Sequence, residues 1–427
     1  MQNYKWDAVF ACSGDWINGE LKKAAKQFPS SFSYEDDAIK ATGDFAAWSL
    51  VAGGSDQFIQ FETPIAKGSV IDKASGATYP LDGAVPLVQF QLAFVQPESD
   101  PKARQLKFNC KVVGKKPGDK TPGAVTVLNA DASGKAKIPA LILDLLQTAL
   151  AEAFIASQKQ LSFVFAHLSL VPPPGASWLT LKKLAYTYLQ TEDDVLGSLA
   201  VLGMFDDVDI SKQNRVFDSA LLRKGDQFGF VLAGSRFFQH ILLPAMPGAY
   251  RGSSASQFYW TGGTSIINKG NVTLDKVKVG AIWYPPVISS LNVSLVGSQI
   301  RTIAAGTCDI TGLADAYISF SVTSQNESSY NAASRTISFL PDPHKSITHS
   351  AHIPWWEKVI GVFTAGIMNV VIEAVSLAIE DAVSGAVGHT GVSSAGMGAQ
   401  LVTWPGQSAV TPTDGGLEEN FYFRGSL

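Results

Sequence analysis

Two long stretches of this sequence are apolar at most positions and polar along a single stripe. The first spans 137–158, where Asp144, Thr148 and Glu152 recur at every fourth residue among leucine, isoleucine and phenylalanine. The second spans 355–387. Its polar stripe consists of Asn369, Glu373, Ser376, Glu380 and Ser384. Residues three or four positions apart lie on one line of a helix, so the pattern predicts two helices that expose only a narrow strip to water.

Between these stretches the pattern changes to alternation of apolar and polar residues. Val88, Phe90 and Leu92 show it clearly, because a glutamine separates each from the next. Alternation predicts strands with one covered face. Further strands are predicted at 58–62, 106–112, 124–128, 161–170, 272–284, 291–296, 317–323 and 335–340. The strands follow one another in runs, which favours an α+β fold with antiparallel sheets over a doubly wound parallel sheet.

A proline-rich segment at 172–175 indicates a boundary between two units of similar design. We predict an N-terminal domain at 1–175, which contains the helix at 137–158. We predict a C-terminal domain at 176–388, which contains the helix at 355–387. Each domain would then combine a run of strands with one long apolar helix.

The end of the chain has a different composition. Residues 389–427 are rich in glycine, serine, alanine and threonine, which predicts a flexible tail. Residues 417–427 include a sequence close to a widely used viral-protease cleavage site. We therefore interpret 417–427 as a vector-derived addition rather than as native sequence.

Composition and charge exclude several classes of protein. Hydrophobic residues make up 46% of the 427 residues and charged residues only 16%. This balance excludes a disordered chain and a coiled coil. The formal net charge of −4 argues against binding to nucleic acid, or unaided binding to an anionic membrane. Neither a signal peptide nor a sufficiently long apolar run is present, so we expect synthesis in the cytoplasm and no transmembrane segment.

The sequence lacks the motifs of common enzyme classes. No GxxxxGK[ST] phosphate loop, no GxSxG elbow and no HExxH zinc motif occurs. We therefore predict a protein that is not an enzyme and needs no cofactor. Cys12, Cys110 and Cys308 lie far apart and form no CxxC pair, which predicts buried free thiols rather than disulfides or a zinc site.

Two groups of residues have the chemistry of metal ligands. His344, His349 and His352 precede the second helix, and their imidazoles have a spacing compatible with zinc. A solvated polar loop is the preferred interpretation. The acidic run at 206–209 resembles the start of a calcium loop, but Lys212 stands where the loop needs glycine. We therefore predict an exposed acidic turn and no metal site.

The apolar helices suggest one possible ligand, an acyl chain. A sheet that wraps a long helix leaves a seam between the two, and a seam lined by apolar side chains can hold a lipid without any catalytic residue. The residues predicted to contact such a lipid are Phe363, Ile367 and Val371 on one face of the second helix, with Trp355 and Trp356 at its mouth. The alternative interpretation is that all five belong to an ordinary core.

Five blocks of sequence, taken together, resemble a known family. They are NYKWDAVFACS at 3–13, WLTLKKLAY at 178–186, LAVLGMF at 199–205, FGFVL at 228–232 and the FF…ILLPA segment at 237–245. Their order is similar to that in the clostridial forty-seven-kilodalton protein family of botulinum neurotoxin gene clusters. The resemblance covers most of residues 1–388.

The resemblance implies a fold of the tubular lipid-binding (TULIP) superfamily, in which a strongly curved antiparallel β-sheet wraps a long helix. It implies a non-enzymatic bacterial accessory protein that binds an acyl lipid, a phospholipid membrane or proteins of a neighbouring toxin gene cluster, and that is released with a toxin complex. Two alternatives stay open. One is a protein-interaction scaffold with closed seams and no lipid; the other is a directly acting insecticidal or pore-forming protein.

Overall fold

The computed structural model describes residues 1–190, 196–279, 281–312, 314–331, 336–352, 370, 373 and 400–427. The helix predicted at 355–387 lies outside these residues, apart from Val370 and Glu373, which are helical. The helix predicted at 137–158 is present at Ala140–Ala156.

The described residues form an α+β fold that consists mostly of strands, with a curled sheet and few helices. The α-helices are α1 (Gly14–Lys23), α2 (Ala140–Ala156), α3 (Gly234–Phe237) and α4 (Leu243–Ala249). A π-helical segment, Phe238–Leu242, joins the last two. Short 3₁₀ segments occur at Ala25–Gln27, Ser177–Leu179, Ser219–Leu221 and Ala255–Gln257.

The strands fall into three groups along the chain. The first group is β1 (Ala8–Ser13), β2 (Ser31–Glu35), β3 (Ile39–Phe45), β4 (Ser49–Ser55), β5 (Phe58–Glu62), β6 (Ile65–Asp72), β7 (Thr78–Pro80), β8 (Leu87–Val95), β9 (Ala103–Asn109), β10 (Val112–Val113), β11 (Ala124–Asn129) and β12 (Val164–Ser169). The second group is β13 (Lys183–Leu189), β14 (Ser198–Met204), β15 (Phe228–Leu232), β16 (Phe258–Trp260), β17 (Ser265–Asn268), β18 (Val272–Thr273), β19 (Val277–Val279) and β20 (Ile282–Tyr284). The third group is β21 (Pro286–Val296), β22 (Gln299–Asp309), β23 (Tyr317–Asn331), β24 (Thr336–Phe339), β25 (Ser346–His352), β26 (Val402–Thr403), β27 (Thr411–Glu418) and β28 (Asn420–Ser426).

These strands form three large sheets and two small ones. The first sheet has the order β13-β14-β1-β15-β28-β27. The second has the order β10-β11-β8-β9-β12-β26, with β5 on β8 and β4 on β5. The third has the order β16-β17-β21-β22-β23-β24, with β18 on β21 and β25 on β23. The small sheets are β2-β3-β6-β7 and the β19–β20 hairpin.

Helix α2 has the exposed polar stripe and the buried apolar face that the sequence pattern predicts. The predicted stripe of Asp144, Thr148 and Glu152 is exposed, whereas Leu146, Leu150 and the other inward residues are buried. Pro139 stands immediately before the helix, where its missing N–H removes no helical hydrogen bond. The inward side packs against β11 and β2. The apolar period therefore placed this helix correctly along the chain.

Strands on opposite sides of the predicted domain boundary at 175 pair with each other. Strand β1 lies between β14 and β15, so that Ala8 stands opposite Gly203 on one side and Leu232 on the other. Strand β26 pairs with β12, with Val402 opposite Leu168. Segments that are distant in sequence thus share sheets. A local proline-rich signal carries no information about such long-range pairing.

The interpretation of 389–427 as a flexible tail is wrong for the described part of it. Strands β27 and β28 form a hairpin, and β28 also pairs with β15, with Phe423 opposite Phe230. Leu417 and Phe421 are fully buried. Residues 417–427, interpreted as a vector-derived addition, therefore supply a strand of the first sheet.

The first sheet is covered on both faces. Phe10, Phe230 and Phe423 belong to the large core on one side, whereas Val9, Val231 and Tyr422 belong to a smaller core on the other. Consecutive residues of β28 are therefore buried regardless of face. Such a strand lacks the apolar and polar alternation by which a strand is recognised in a sequence.

Candidate functional site

The residues predicted to contact lipid lie outside the described part of the chain. They are Trp355, Trp356, Phe363, Ile367 and Val371. Their assignment stays a prediction, and the described residues have to be searched for other sites.

The interior around α2 is occupied by aromatic side chains. We call this group the aromatic cluster: Phe28, Phe45, Trp48, Phe61, Phe90, Phe108, Phe154, Phe163 and Phe165. Phe154 projects from α2, and its ring centroid lies 5.3 Å from that of Trp48 and 5.5 Å from that of Phe90. Edge-to-face and tilted contacts at such distances are favourable packing geometries. Side chains therefore fill the space in which a seam between α2 and the sheet was expected.

A cavity of about 600 Å³ lies at the end of α1, on the border of the aromatic cluster. It is lined by Glu20, Lys23, Ala24, Gln27, Ser162, Phe163, Val164, His167, Pro405 and Gly406. The Lys23 ammonium donates to the Glu20 carboxylate at 2.7 Å, and the Trp16 indole N–H donates to the Pro405 carbonyl at 2.9 Å. Gly406 has φ +70°, and a Cβ there would overlap the Glu20 carboxylate. These contacts hold the 405–406 turn against α1.

A polar network centred on Arg236 joins two of the sequence blocks that carry the family resemblance, 3–13 and 199–205. The Arg236 guanidinium donates to both oxygens of Asp7, from Nε at 2.8 Å and from Nη2 at 3.0 Å, and it also pairs with Asp206. The second oxygen of Asp7 accepts the Phe205 backbone N–H at 2.8 Å. The hydrogen bond from Arg236 lowers the pKa of the Asp206 carboxyl. This network fixes the start of β1 to the end of β14 and to α3.

A stacked ring pair lies beside this network. His240, in the π-helical segment, lies parallel to Trp178, with ring centroids 4.5 Å apart and planes inclined by 4°. The ring of Phe205 contacts the ring of Trp178 edge to face, with the two centroids 5.8 Å apart. Burial lowers the pKa of His240 below its ordinary value of 6.5, and the Arg236 charge lowers it further. The charges of Asp206 and Asp7 oppose this shift, and the net lowering of the pKa favours the neutral imidazole.

We expect His240 to make the fold less stable in acid. Because its folded pKa is lowered, the unfolded chain takes up a proton first as the pH falls below about 6.5. The free energy of unfolding should therefore decrease from that pH downward until the folded imidazole is also protonated. The variant His240→Phe keeps a ring on Trp178 but cannot titrate. Urea unfolding between pH 7.5 and about 5 should show a shallower acid decrease in this variant; equal pH dependence in both proteins would contradict the prediction.

The two groups considered as metal ligands do not converge. Asp206 pairs with Arg236, Asp207 pairs with Lys183 at 2.8 Å, and Asp209 accepts from the Ser211 backbone N–H. His352 stacks on Tyr317 at 4.9 Å. Within the described ranges no three His, Cys, Asp or Glu side chains are grouped to hold a metal ion. The acidic residues are instead engaged in separate ion pairs and turns.

The three cysteines are free and buried, as predicted. Burial raises the pKa of Cys110 to about 12 and that of Cys308 to about 11. Burial also raises the pKa of Cys12, with a further contribution from the nearby Glu20 charge. A thiol must ionise to act as a nucleophile or metal ligand, so these three side chains serve the core.

The most distinctive exposed feature is the β19–β20 hairpin. Trp283 is 53% exposed and Ile282 37% exposed, and Trp283 stands opposite the exposed Lys278. The Lys278 ammonium lies 5.7 Å from the centroid of the Trp283 ring. The sequence pattern predicted one continuous strand at 272–284, whereas the structure has the three short strands β18, β19 and β20. Sequence analysis missed this exposed tip, and the signal that could have found it is the run Lys278-Val279-Gly280-Ala281-Ile282-Trp283, in which a lysine and a glycine precede two large apolar residues.

No helix in the described residues is both long and apolar enough to cross a bilayer.

Comparison with known proteins shows which family this sequence is similar to. The family model described as "OrfX-like: Protein OrfX2/OrfX3/P47" matches residues 4–403. Protein P47 of Clostridium botulinum (strain Kyoto / Type A2) is 26% identical over 361 residues, which cover 83% of this chain and 84% of that protein. Protein OrfX3 of the same organism is 26% identical over 329 residues, which cover 69% of this chain and 67% of that protein.

Solved structures agree with the sequence comparison. The structure of P47 from Clostridium botulinum A2 superposes with a TM-score of 0.82 at 22% identity, covering 100% of this chain and 98% of that one. The crystal structure of P47 of Clostridium botulinum E1 has a TM-score of 0.75 at 22% identity and full coverage of both chains. These superpositions show a shared fold. Together with the family match they lead to one conclusion: the chain belongs to the OrfX2/OrfX3/P47 family of botulinum neurotoxin gene clusters.

Proposed function

We propose that this protein is a non-enzymatic accessory protein of a toxin gene cluster, that it acts by binding a phospholipid membrane, and that it is released together with a toxin complex. Its family membership supports the accessory role. We further propose that the curled sheet and α2 form a TULIP-like unit, and that the helix predicted at 355–387 completes a second one. No cofactor or catalytic residue is part of this proposal.

One observation carries the membrane-binding part. Fourteen large apolar side chains in the described residues are exposed, and seven of them lie within 259–340, less than a fifth of the chain. These seven are Tyr259, Ile282, Trp283, Val296, Ile303, Tyr317 and Leu340. Exposed apolar side chains that gather on one surface are typical of an interaction site, and we propose that these seven, which are concentrated in one stretch of the sequence, do so. The region coincides with the third sheet and the β19–β20 hairpin.

The test is vesicle flotation of the full chain. We expect the protein to float with phospholipid vesicles and to stay at the bottom of the gradient without them. Lipid extraction of the denatured, purified protein should recover little acyl lipid, because the aromatic cluster fills the interior around α2. A protein that floats with no vesicle of any composition would contradict the proposal.

A second candidate function is a protein-interaction scaffold with closed seams. The aromatic cluster favours it, since a filled interior leaves no room for a lipid beside α2. The same exposed side chains would then meet another protein of the gene cluster. Absence of vesicle binding, together with a stable complex with a product of a neighbouring gene on size-exclusion chromatography, would favour this candidate over the first.

A further inference from the structure

We infer that the β19–β20 hairpin is the membrane anchor, and that it inserts Ile282 and Trp283 into the interface of an anionic bilayer. This inference rests on the proposed membrane binding and assigns it to a site and to a lipid class. The hairpin consists of Lys276 together with β19 and β20.

The hairpin is fixed at its base. Val277 stands opposite Tyr284, which is 2% exposed and belongs to the core. The Leu274 N–H donates to the Pro286 carbonyl at 2.9 Å, and Thr311 Oγ1 donates to the Trp283 carbonyl at 3.1 Å. Within the described residues, β19 and β20 pair only with each other. A firm base allows the tip to enter a bilayer without unfolding the sheet behind it.

The side chains at the tip have interfacial chemistry. Ile282 lies two residues before the buried Tyr284 on the same face, so this apolar face runs from the core out into water. Trp283 stands opposite Lys278 on the other face. Indole rings prefer the boundary between headgroups and acyl chains, and a lysine beside them keeps its ammonium among the headgroups. Insertion would remove both apolar side chains from water.

The local charge of the hairpin differs from that of the whole chain. Lys276 and Lys278 are exposed, and residues 276–284 contain no carboxylate, whereas the chain as a whole has a net charge of −4. The exposed Asp275 adjoins Lys276, so residues 275–284 carry a net charge of +1. Lys278, which stands opposite Trp283, is the basic side chain beside the inserted ring. Anionic headgroups complement that charge.

The small size of the tip favours a bilayer over a protein partner. A stable protein interface buries about 800 Å² on each side, far more than two side chains at a hairpin tip provide. Peripheral membrane binding needs less, because one apolar insertion and a few basic residues act together on the same surface. The occupant that fits the hairpin is therefore an anionic phospholipid surface.

The apolar part is tested by flotation with vesicles of phosphatidylcholine and phosphatidylglycerol. We expect Trp283→Ser to weaken vesicle binding about ten-fold or more, and Ile282→Ser to weaken it by a smaller factor. The matched control is Tyr4→Ser, which removes an aromatic side chain of 41% exposure that lies outside residues 259–340. Thermal unfolding of all three variants should match the wild type, since the substituted side chains face water.

The charged part is tested by changing the lipid and the lysines. Wild-type protein should bind vesicles with phosphatidylglycerol at least about ten-fold more strongly than pure phosphatidylcholine vesicles, and Lys276→Glu/Lys278→Glu should remove that preference. The matched control is Lys269→Glu, an exposed lysine after β17.

The outcomes separate the two proposals. A wild type that binds no vesicle would overturn the proposed function itself. A wild type that binds vesicles as strongly as Trp283→Ser does would leave membrane binding standing and overturn the hairpin as its anchor. Equal binding to both vesicle types would overturn the anionic preference.

Discussion

Replacing Arg424 with leucine is expected to lower the free energy of unfolding by about 3 kcal/mol, because the substitution breaks a buried ion pair. Arg424 is 2% exposed and lies in β28. Its Nε donates to Asp414 at 2.8 Å, and its Nη1 donates to the Ala220 carbonyl at 2.6 Å. Leucine would leave the carbonyl and the half-buried carboxylate without their main donor.

The matched control is Arg223→Leu. Arg223 donates to the same Asp414 carboxylate at 3.1 Å, but its side chain is 65% exposed. An exposed arginine of this kind contributes less than about 1 kcal/mol, because water screens the pair. Urea unfolding followed by circular dichroism measures both variants. The two substitutions share a carboxylate, so the comparison isolates the effect of burial.

The pair of variants also tests the strand itself. If residues 417–427 formed a flexible tail, Arg424→Leu would leave the unfolding midpoint unchanged. Equal, small losses in both variants would therefore favour the tail over the strand. A large loss confined to Arg424→Leu would place β28 in the folded core, as the pairing with β15 indicates.

The sequence predicted elements whose signal is local. The polar stripe of α2 depends only on which face of the helix meets water, and it appears in the structure as expected. The alternation at 88–92 predicted strand β8 correctly but not its single covered face, because Gln89 and Gln91 are buried as well. The α+β class followed from the order of such elements. The family resemblance, which came from the order of whole blocks, was confirmed by the match over residues 4–403.

The hairpin of β27 and β28 was missed because its glycines have a packing role. A Cβ at Gly425 would overlap the Thr411 carbonyl, and one at Gly415 would overlap the Phe423 ring. Glycine is needed there for close approach of two chains, yet in a sequence it resembles the glycine of a linker. The two uses differ only in which distant residues lie opposite, and no local pattern contains that information.

Sequence analysis missed the candidate membrane anchor because it considered the net charge of the whole chain rather than the charge of one surface. The net charge of the whole chain argued against an anionic surface, but a bilayer meets only the residues that reach it. The alternation at 272–284 did indicate strands, whereas their division into three short ones depends on pairing with β21 and within the hairpin. Exposure of Ile282 and Trp283 follows from that division.

Replacing Phe90 with alanine is expected to lower the free energy of unfolding by about 4 kcal/mol, because it opens a cavity in the aromatic cluster. Phe90 is fully buried. Its ring centroid lies 5.1 Å from that of Phe108, 5.5 Å from Phe154 and 6.0 Å from Trp48. Few other single substitutions would remove as many ring contacts from the space beside α2.

The matched control is Phe94→Ala on the same strand. Phe94 is only half-buried and meets one ring, Tyr186, at 6.2 Å. Its loss is expected to cost about 1–2 kcal/mol, and Phe90→Leu should cost a similar amount because leucine fills part of the space. Chemical unfolding of Phe90→Ala, Phe94→Ala and Phe90→Leu measures the free energy of unfolding that each substitution removes.

A small apolar ligand turns the same variants into a test of the interior. Benzene should raise the thermal midpoint of Phe90→Ala, because a dry apolar cavity binds such molecules and binding to the folded state stabilises it. It should not raise the midpoint of Phe94→Ala or of the wild type. A wild type that benzene stabilises as strongly as it stabilises Phe90→Ala would contradict a filled interior. The seam beside α2 would then be open, and lipid could bind inside the protein as well as at its surface.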